Sequence, residues 1–326
     1  MVKLNFMHVN MLKNHIFSNL SLDSLSENEE YEAIKKELLN KFDFKWLNTF
    51  SFCKYGFLGL FLELNQKGKI ALCKGESEAL IEAGKLFESL GFELLWVNLE
   101  KDGKINLNDI KNNEYDYLFL SSFIMDTFVR VDLKHIKTLT NASIISNASL
   151  DFSKNSDAVY FDTYKLSGFS SSSVLLFNGN MFEEKSIGFT DTIAVSLVLE
   201  GLKNQHFQND VKGRFLQELK DVFGNDLFLF VDPNETFECS LHVGFKRIRA
   251  RELIRSLAFE EIFITNGEGC ALGLSKPSRI IKEMNCGLDN TNAIGFSFSN
   301  SLSDDEISQL VKIIHKKYRQ IRALNG

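Results

Sequence analysis

Lys165 closes the run Asp157-Ala-Val-Tyr-Phe-Asp-Thr-Tyr-Lys165-Leu-Ser-Gly168, in which an apolar strand leads straight into the lysine. An amine at such a place is partly desolvated, which favours its neutral form and suits Schiff-base chemistry. Gly168, Ser170 to Ser173 and a second apolar strand follow, so the same residues also suit a solvated loop lysine. A second reactive group sits in Ile262-Phe-Ile-Thr-Asn-Gly-Glu-Gly-Cys270-Ala-Leu-Gly. A thiol on a glycine-flanked loop is able to act as a nucleophilic thiolate. It is equally able to serve as a small hydrophobe near a turn. The third segment, Ala293-Ile-Gly-Phe-Ser-Phe-Ser299 followed by Leu302-Ser-Asp-Asp-Glu-Ile307, reads as a strand entering a capped helix.

The elements that must position these groups alternate in type. Strands are expected at Gly68–Cys73, Gly91–Val97, Asp116–Ser121, Ala142–Ser146, Ala158–Phe161 and Ser173–Phe177, with helices at Glu76–Leu90 and Asp132–Leu139. Apolar strands buried on both faces and separated by helices predict an α/β fold with a mainly parallel sheet. After Gly179 the pattern changes. A long broken helical stretch (Ile193 to Leu227), strands at Phe237–Gly244, Ile262–Thr265 and Ala293–Ser299, and helices at Arg249–Ala258, Ser275–Met284 and Asp304–Leu324 predict a smaller α+β domain. The first 45 residues are helical in flavour, from the apolar spacing of Tyr31, Ile34, Leu38, Leu39 and Phe42. The expected division is a large domain over residues 45–190 and a small domain combining 1–44 with 191–326.

Taken in order, these segments resemble the class V aminotransferases, and within them the cysteine desulfurases. Phe161-Asp-Thr-Tyr-Lys165 matches the family's "S-x-H-K" strand end with Tyr164 in place of histidine. Asn266-Gly-Glu-Gly-Cys270 matches its "S-G-S-A-C" loop, and Ile294-Gly-Phe-Ser-Phe its "R-F-S" segment. Upstream, Asp102-Gly-Lys-Ile-Asn-Leu-Asn-Asp109 is similar to a family "D-G-x-(I/V)" stretch, and Ser121 to Phe128 stands where its "N-E-T-G" loop would. The resemblance covers about residues 45 to 320. It implies the type I fold of pyridoxal 5'-phosphate (PLP) dependent transferases and an amino-acid substrate. It further implies a homodimer and a sulfur-acceptor protein. Lys165 would hold PLP as a Schiff base and Cys270 would accept sulfur. Thr49 and Ser51 would reach the cofactor phosphate, with Ser77, Ser146, Ser149 and Tyr164 around its ring.

The same transfer shows departures. Asn48-Thr-Phe-Ser-Phe-Cys-Lys-Tyr-Gly56 stands for the family's Gly/Ser/Thr-rich phosphate turn, and its Phe50 and Phe52 do not belong in one. Gly75-Glu-Ser-Glu-Ala79 lacks the stacking histidine, leaving Ser77. Ile145-Ser-Asn-Ala-Ser149 offers hydroxyls and an amide where an aspartate would keep the pyridine nitrogen protonated, the condition for its electron-sink role. The substrate-carboxylate arginine falls on Gly295, and Met125-Asp126-Thr127-Phe128 replaces the "N-E-T-G" asparagine. Losing one charge-assisted clamp removes about 1.5–3 kcal/mol of binding. Three functions follow from the resemblance: a PLP-dependent transferase with desulfurase chemistry, a cofactor-binding relative with altered chemistry on an unknown amino acid, or a catalytically degenerate, PLP-free homologue serving as a scaffold or interaction partner.

Composition removes other classes. The chain has 326 residues, 44% hydrophobic and 25% charged, as globular proteins have. Its net charge of −6 argues against a nucleic-acid surface, and no apolar run is long enough to span a membrane. Five cysteines without CxxC spacing suit reduced thiols, which with the polar start of the chain predicts a cytoplasmic protein. No GxGxxG or GxxxxGK[ST] follows a strand; Gly201 and Gly213 sit in helical surroundings, against a Rossmann-type nucleotide binder. His135 and His242 read as packing or surface histidines, and Lys246-Arg-Ile-Arg-Ala-Arg251 as the solvated start of a helix able to attract an anion.

Overall fold

The computed structural model of the protein describes residues 2–4, 29–112, 114–169, 171–184, 190–208, 210–268 and 276–325. Twelve strands lie among them: β1 (Val2–Lys3), β2 (Trp46–Phe50), β3 (Ile70–Cys73), β4 (Leu95–Val97), β5 (Tyr117–Phe119), β6 (Ser143–Asn147), β7 (Ala158–Phe161), β8 (Ser173–Phe177), β9 (Leu227–Leu229), β10 (Ser240–Phe245), β11 (Ile262–Phe263) and β12 (Ala293–Ser297). The helices are α1 (Glu29–Phe42), α2 (Lys54–Asn65), α3 (Glu78–Ser89), α4 (Leu107–Lys111), α5 (Leu133–Leu139), α6 (Thr163–Ser167), α7 (Thr192–Asn204), α8 (Val211–Phe223), α9 (Ala250–Ala258), α10 (Arg279–Met284) and α11 (Asp304–Asn325).

Seven strands form one sheet in the order β2-β8-β7-β6-β5-β3-β4. The β3–β4, β3–β5, β5–β6 and β6–β7 pairs are parallel, while β8 runs antiparallel to both its neighbours. Strands β3, β7 and β8 are buried along their whole length, which is why their sequences are unbroken apolar runs rather than alternating ones. Helices α2 and α3 cover one face with Phe57, Phe61, Leu80 and Phe87. On the opposite face α1 and α7 pack Tyr31, Leu38, Phe42, Val195 and Val198 against Val159, Phe161 and Leu176. A second, antiparallel sheet has the order β12-β10-β9, and α8, α9 and α11 close a separate core around Phe215, Phe245, Leu253 and Tyr318. The mainly parallel sheet and the smaller α+β unit are the α/β architecture expected from the sequence.

In the large sheet β4 leaves β3 on one side and β5 returns on the other, so the chain reverses its direction of winding at the β3/β5 pair. Open α/β sheets place ligands beyond the C-terminal ends of their strands at such a reversal. Glu76, Ser77, Ser121, Ser149, Asp162 and Lys165 all follow the ends of β3, β5, β6 and β7 within a few residues.

Candidate functional site

Lys165 is not in a loop. Asp162 accepts a hydrogen bond from the Lys165 backbone N–H at 3.2 Å, and Gly168 ends the segment at φ +78°, so the residues between wind into the short helix α6. This N-cap points the lysine along the end of the sheet, where its Nζ lies 3.3 Å from the Glu268 carboxylate and 4.0 Å from that of Asp162. The side chain is 26% exposed. Desolvation lowers its pKa, as expected from the sequence, yet Glu268, Asp162 and Asp126 outweigh that effect and the net shift is upward. The expectation of a lysine made more nucleophilic by its surroundings is thereby corrected: burial came together with carboxylates.

Those carboxylates form a connected system. The Glu268 side chain accepts from the Glu78 backbone N–H (2.7 Å) at the start of α3, and the Glu268 backbone N–H donates to Asp126 (2.9 Å). Asp126 also accepts from the Ser278 hydroxyl (2.7 Å) ahead of α10. Gly267 is required between them: its φ is +123°, and a Cβ there would collide with the Asp126 carboxylate. Deeper in the crevice, buried Glu76 accepts from the Ser121 N–H (2.6 Å), the Ser121 hydroxyl (3.1 Å) and the Tyr160 hydroxyl (3.2 Å). Arg279 spans the mouth, donating to the carbonyls of Lys74 (2.6 Å) and Glu76, with its Nε buried and unpartnered among the described residues. Burial pushes Glu76 up to about 7 against the pull of its donors. Burial and the nearby Glu268 charge push Asp126 up to about 6.

The other expected positions divide. Ser77 is buried and caps α3, accepting from the Leu80 N–H, next to the Glu78 N–H that binds Glu268. Ser149 accepts from the Asp162 N–H (2.7 Å), so it supports α6 from behind. Ser146 donates to the Leu120 carbonyl (2.8 Å) and shares a hydrogen bond with Ser156 (2.8 Å), so its hydroxyl serves the sheet. Tyr164 is 41% exposed. Thr49 accepts from the Asp191 N–H (3.0 Å), and exposed Ser51 contacts the Cys53 thiol. Cys270 lies outside the described residues, as do the residues beside it from 269 to 275. Sequence reasoning missed Glu76, Asp126, Asp162, Glu268 and Arg279 as site residues. Four of these five stand inside segments already aligned with family site loops or with the lysine motif, and acidic residues in those places were the available signal.

Where a phosphate turn was expected, Asn48 to Cys53 instead continues β2 and enters α2. The Phe50 and Phe52 rings pack edge-on or tilted against Phe57 and Tyr160 at centroid distances of 5.1–6.3 Å. The residues present do not fit PLP. Aromatic rings fill the start of α2, Ser146 is committed to the sheet, and the Lys165 ammonium is held by carboxylates instead of standing free for an aldehyde. Among the described residues there is no group of His, Cys, Asp and Glu arranged to hold a metal ion.

No family model matches the chain. Among curated proteins it is similar to the cysteine desulfurase IscS of Rickettsia peacockii (strain Rustic), 21% identical over 300 residues that cover 80% of this chain and 72% of that protein. The IscS of Buchnera aphidicola subsp. Schizaphis graminum (strain Sg) is also 21% identical, over 81% of this chain and 74% of its own. Among solved structures, a NifS-like protein superposes with a TM-score of 0.77 at 12% identity, covering 98% of this chain and 99% of that one. A NifS-like protein from Rickettsia africae ESF-5 gives 0.71 at 11%, with the same coverage. The cysteine desulfurase CsdA from Escherichia coli gives 0.64 at 12%, covering 94% and 88%. The fold is thus that of the type I PLP-dependent transferases. The sequence similarity to cysteine desulfurases, at 21% identity over 80% of the chain, runs along this same fold.

Proposed function

We propose that this protein keeps the desulfurase-like fold but works as a PLP-free binding or scaffold protein. The observation that carries this reading is the engagement of the Lys165 ammonium by Glu268 and Asp162, in the crevice where its relatives' fold would place chemistry. A lysine paired in this way stays protonated near neutral pH and lacks the free lone pair that a carbonyl requires. Pairing with a second copy of the chain and the division of the chain at about residues 45 and 190 belong to the same proposal.

A second reading is favoured by one observation: Lys165 is retained at the end of β7, on a purpose-built N-cap. In that reading Lys165 is the Schiff-base residue of a transferase acting on an amino acid, and Cys270 passes sulfur to an acceptor protein. One experiment separates the two. The full chain is incubated with PLP, its visible spectrum recorded, and borohydride added before peptide mass analysis. The expected result is no aldimine band and no pyridoxyl adduct on Lys165. A band that vanishes on borohydride treatment and is absent from Lys165→Ala would overturn the PLP-free reading.

A further inference from the structure

The turn between β10 and α9, the end of β11 and the start of β12 enclose a cavity of about 830 Å³ on the smaller unit. Arg247, Arg249 and Arg251 line it together with Asn266 and Asn292. The three arginines are exposed, and none has an ion pair among the described residues, where the arginines with acidic partners are Arg130, Arg214 and Arg322. The two acidic groups at the cavity are engaged locally. Glu252 accepts from the Arg249 N–H at 3.4 Å, and Asp289 accepts from both the N–H and the hydroxyl of Thr291 at 2.9 Å.

Two further observations separate this cavity from a solvated basic run. Asn266 and Asn292 are 1% and 7% exposed, and in each the side-chain carbonyl oxygen lacks a hydrogen-bond partner among the described residues. A buried amide acceptor left unpaired is costly, so two of them on one cavity wall call for donors from elsewhere. Arg247 moreover holds φ +62°, an uncommon conformation for a residue with a side chain, in the turn that carries the arginines.

From this combination we infer that the cavity is a binding site for a small phosphorylated molecule that also carries hydroxyl or amino donors. Guanidinium forks match the tetrahedral oxygens of a phosphate with charge-assisted hydrogen bonds. The asparagine oxygens, closed off from solvent in the structure, accept from the ligand's donors once their side chains turn into the cavity, and the volume falls in the range of small-molecule sites. A nucleic acid is disfavoured because the chain as a whole carries a net charge of −6. This inference does not depend on the state of Lys165, whose readout is an adduct on a different residue.

The test titrates the full chain by calorimetry with ATP, with pyrophosphate and with citrate, at fixed ionic strength. ATP and pyrophosphate are expected to bind saturably at one site and citrate at least tenfold more weakly. In the exposed pair of substitutions Arg247→Gln and Arg251→Gln, checked for an unchanged melting temperature, affinity for both phosphates should fall about tenfold per guanidinium removed. Asn266→Ala should weaken ATP more than pyrophosphate, since ATP brings amino and ribose hydroxyl donors that pyrophosphate lacks. Absence of saturable binding, binding that survives both arginine substitutions, or citrate binding as tightly as pyrophosphate would each overturn the assignment.

Discussion

At the scale of single residues, the crevice is governed by what surrounds each titratable group. Glu76 and Asp126 are buried carboxyls with folded-state pKa values near 7 and 6, both above the ordinary carboxylate range. Between about pH 4.5 and 7 the folded state therefore holds more protons than the unfolded one, and stability declines as pH rises through that window. Glu76→Gln removes the larger of these titrations while keeping an acceptor for Ser121. Thermal unfolding of this variant should show a flatter pH slope between pH 5 and 7 than the parent chain, with its advantage largest at pH 8. A slope equal to that of the parent would mean that Glu76 does not titrate in this range. Lys165 shows why residue chemistry was only half legible in the sequence. Its place after an apolar strand was readable, and so was its burial. Its partners come from segments 103 and 39 positions away in the chain, Glu268 and Asp126, and no local pattern announces that both will converge on one amine.

At the scale of elements, unbroken apolar strands were the most readable part of the chain. Ala158–Phe161 and Ser173–Phe177 appear in the fold with the bounds their composition gives, because burial on both faces leaves no alternation to misread. The long helical stretch after residue 193 resolves into α7 and α8 with the edge strand β9 beyond them. Least readable were β2 and α2. Asn48 to Gly56 was matched to a phosphate turn, whereas Phe50 and Phe52 have the aromatic character of a strand end packed on a core. The five-residue helix α6 was also missed, since a helix so short is formed by its caps rather than by periodicity. Asp162→Ala removes the cap and one carboxylate beside Lys165. It should cost about 1–2 kcal/mol in chemical denaturation, while Asp162→Asn, which still caps, should recover most of that loss. Equal losses in the two variants would show that the carboxylate charge, not the cap, is what stabilises α6.

At the scale of the whole molecule, one apolar core runs from the large sheet into the second half of the chain, and Arg279 adds a polar tie beside it. It belongs to α10, whose Ile280, Ile281 and Met284 pack in one core with Ala71, Cys73 and Leu118 of the large sheet and with Phe230 and Ala293, and its guanidinium holds two backbone carbonyls just past β3. A planar fork is needed to reach both at once, which lysine does not provide. Arg279→Lys and Arg279→Ala should each destabilise the chain by about 1–3 kcal/mol through the unsatisfied carbonyls. Limited proteolysis under native conditions should be faster in both. Proteolysis unchanged from the parent would place the cohesion of the two units elsewhere. The general fold was legible because the order of strand and helix segments is readable even where single residues depart from the family pattern. The Arg279 contact was not, since it depends on one side chain meeting main-chain oxygens about 200 positions earlier.

Among the described residues, strand β2 finds its hydrogen-bonding partner in β8 alone. On a ribosome it emerges long before that partner, so Trp-Leu-Asn-Thr-Phe spends the synthesis of the entire parallel sheet as a naked edge. Completion of β8 is thus the event that seals the nascent sheet, and a chain stalled before residue 173 would leave a ready template for aggregation rather than a smaller working protein.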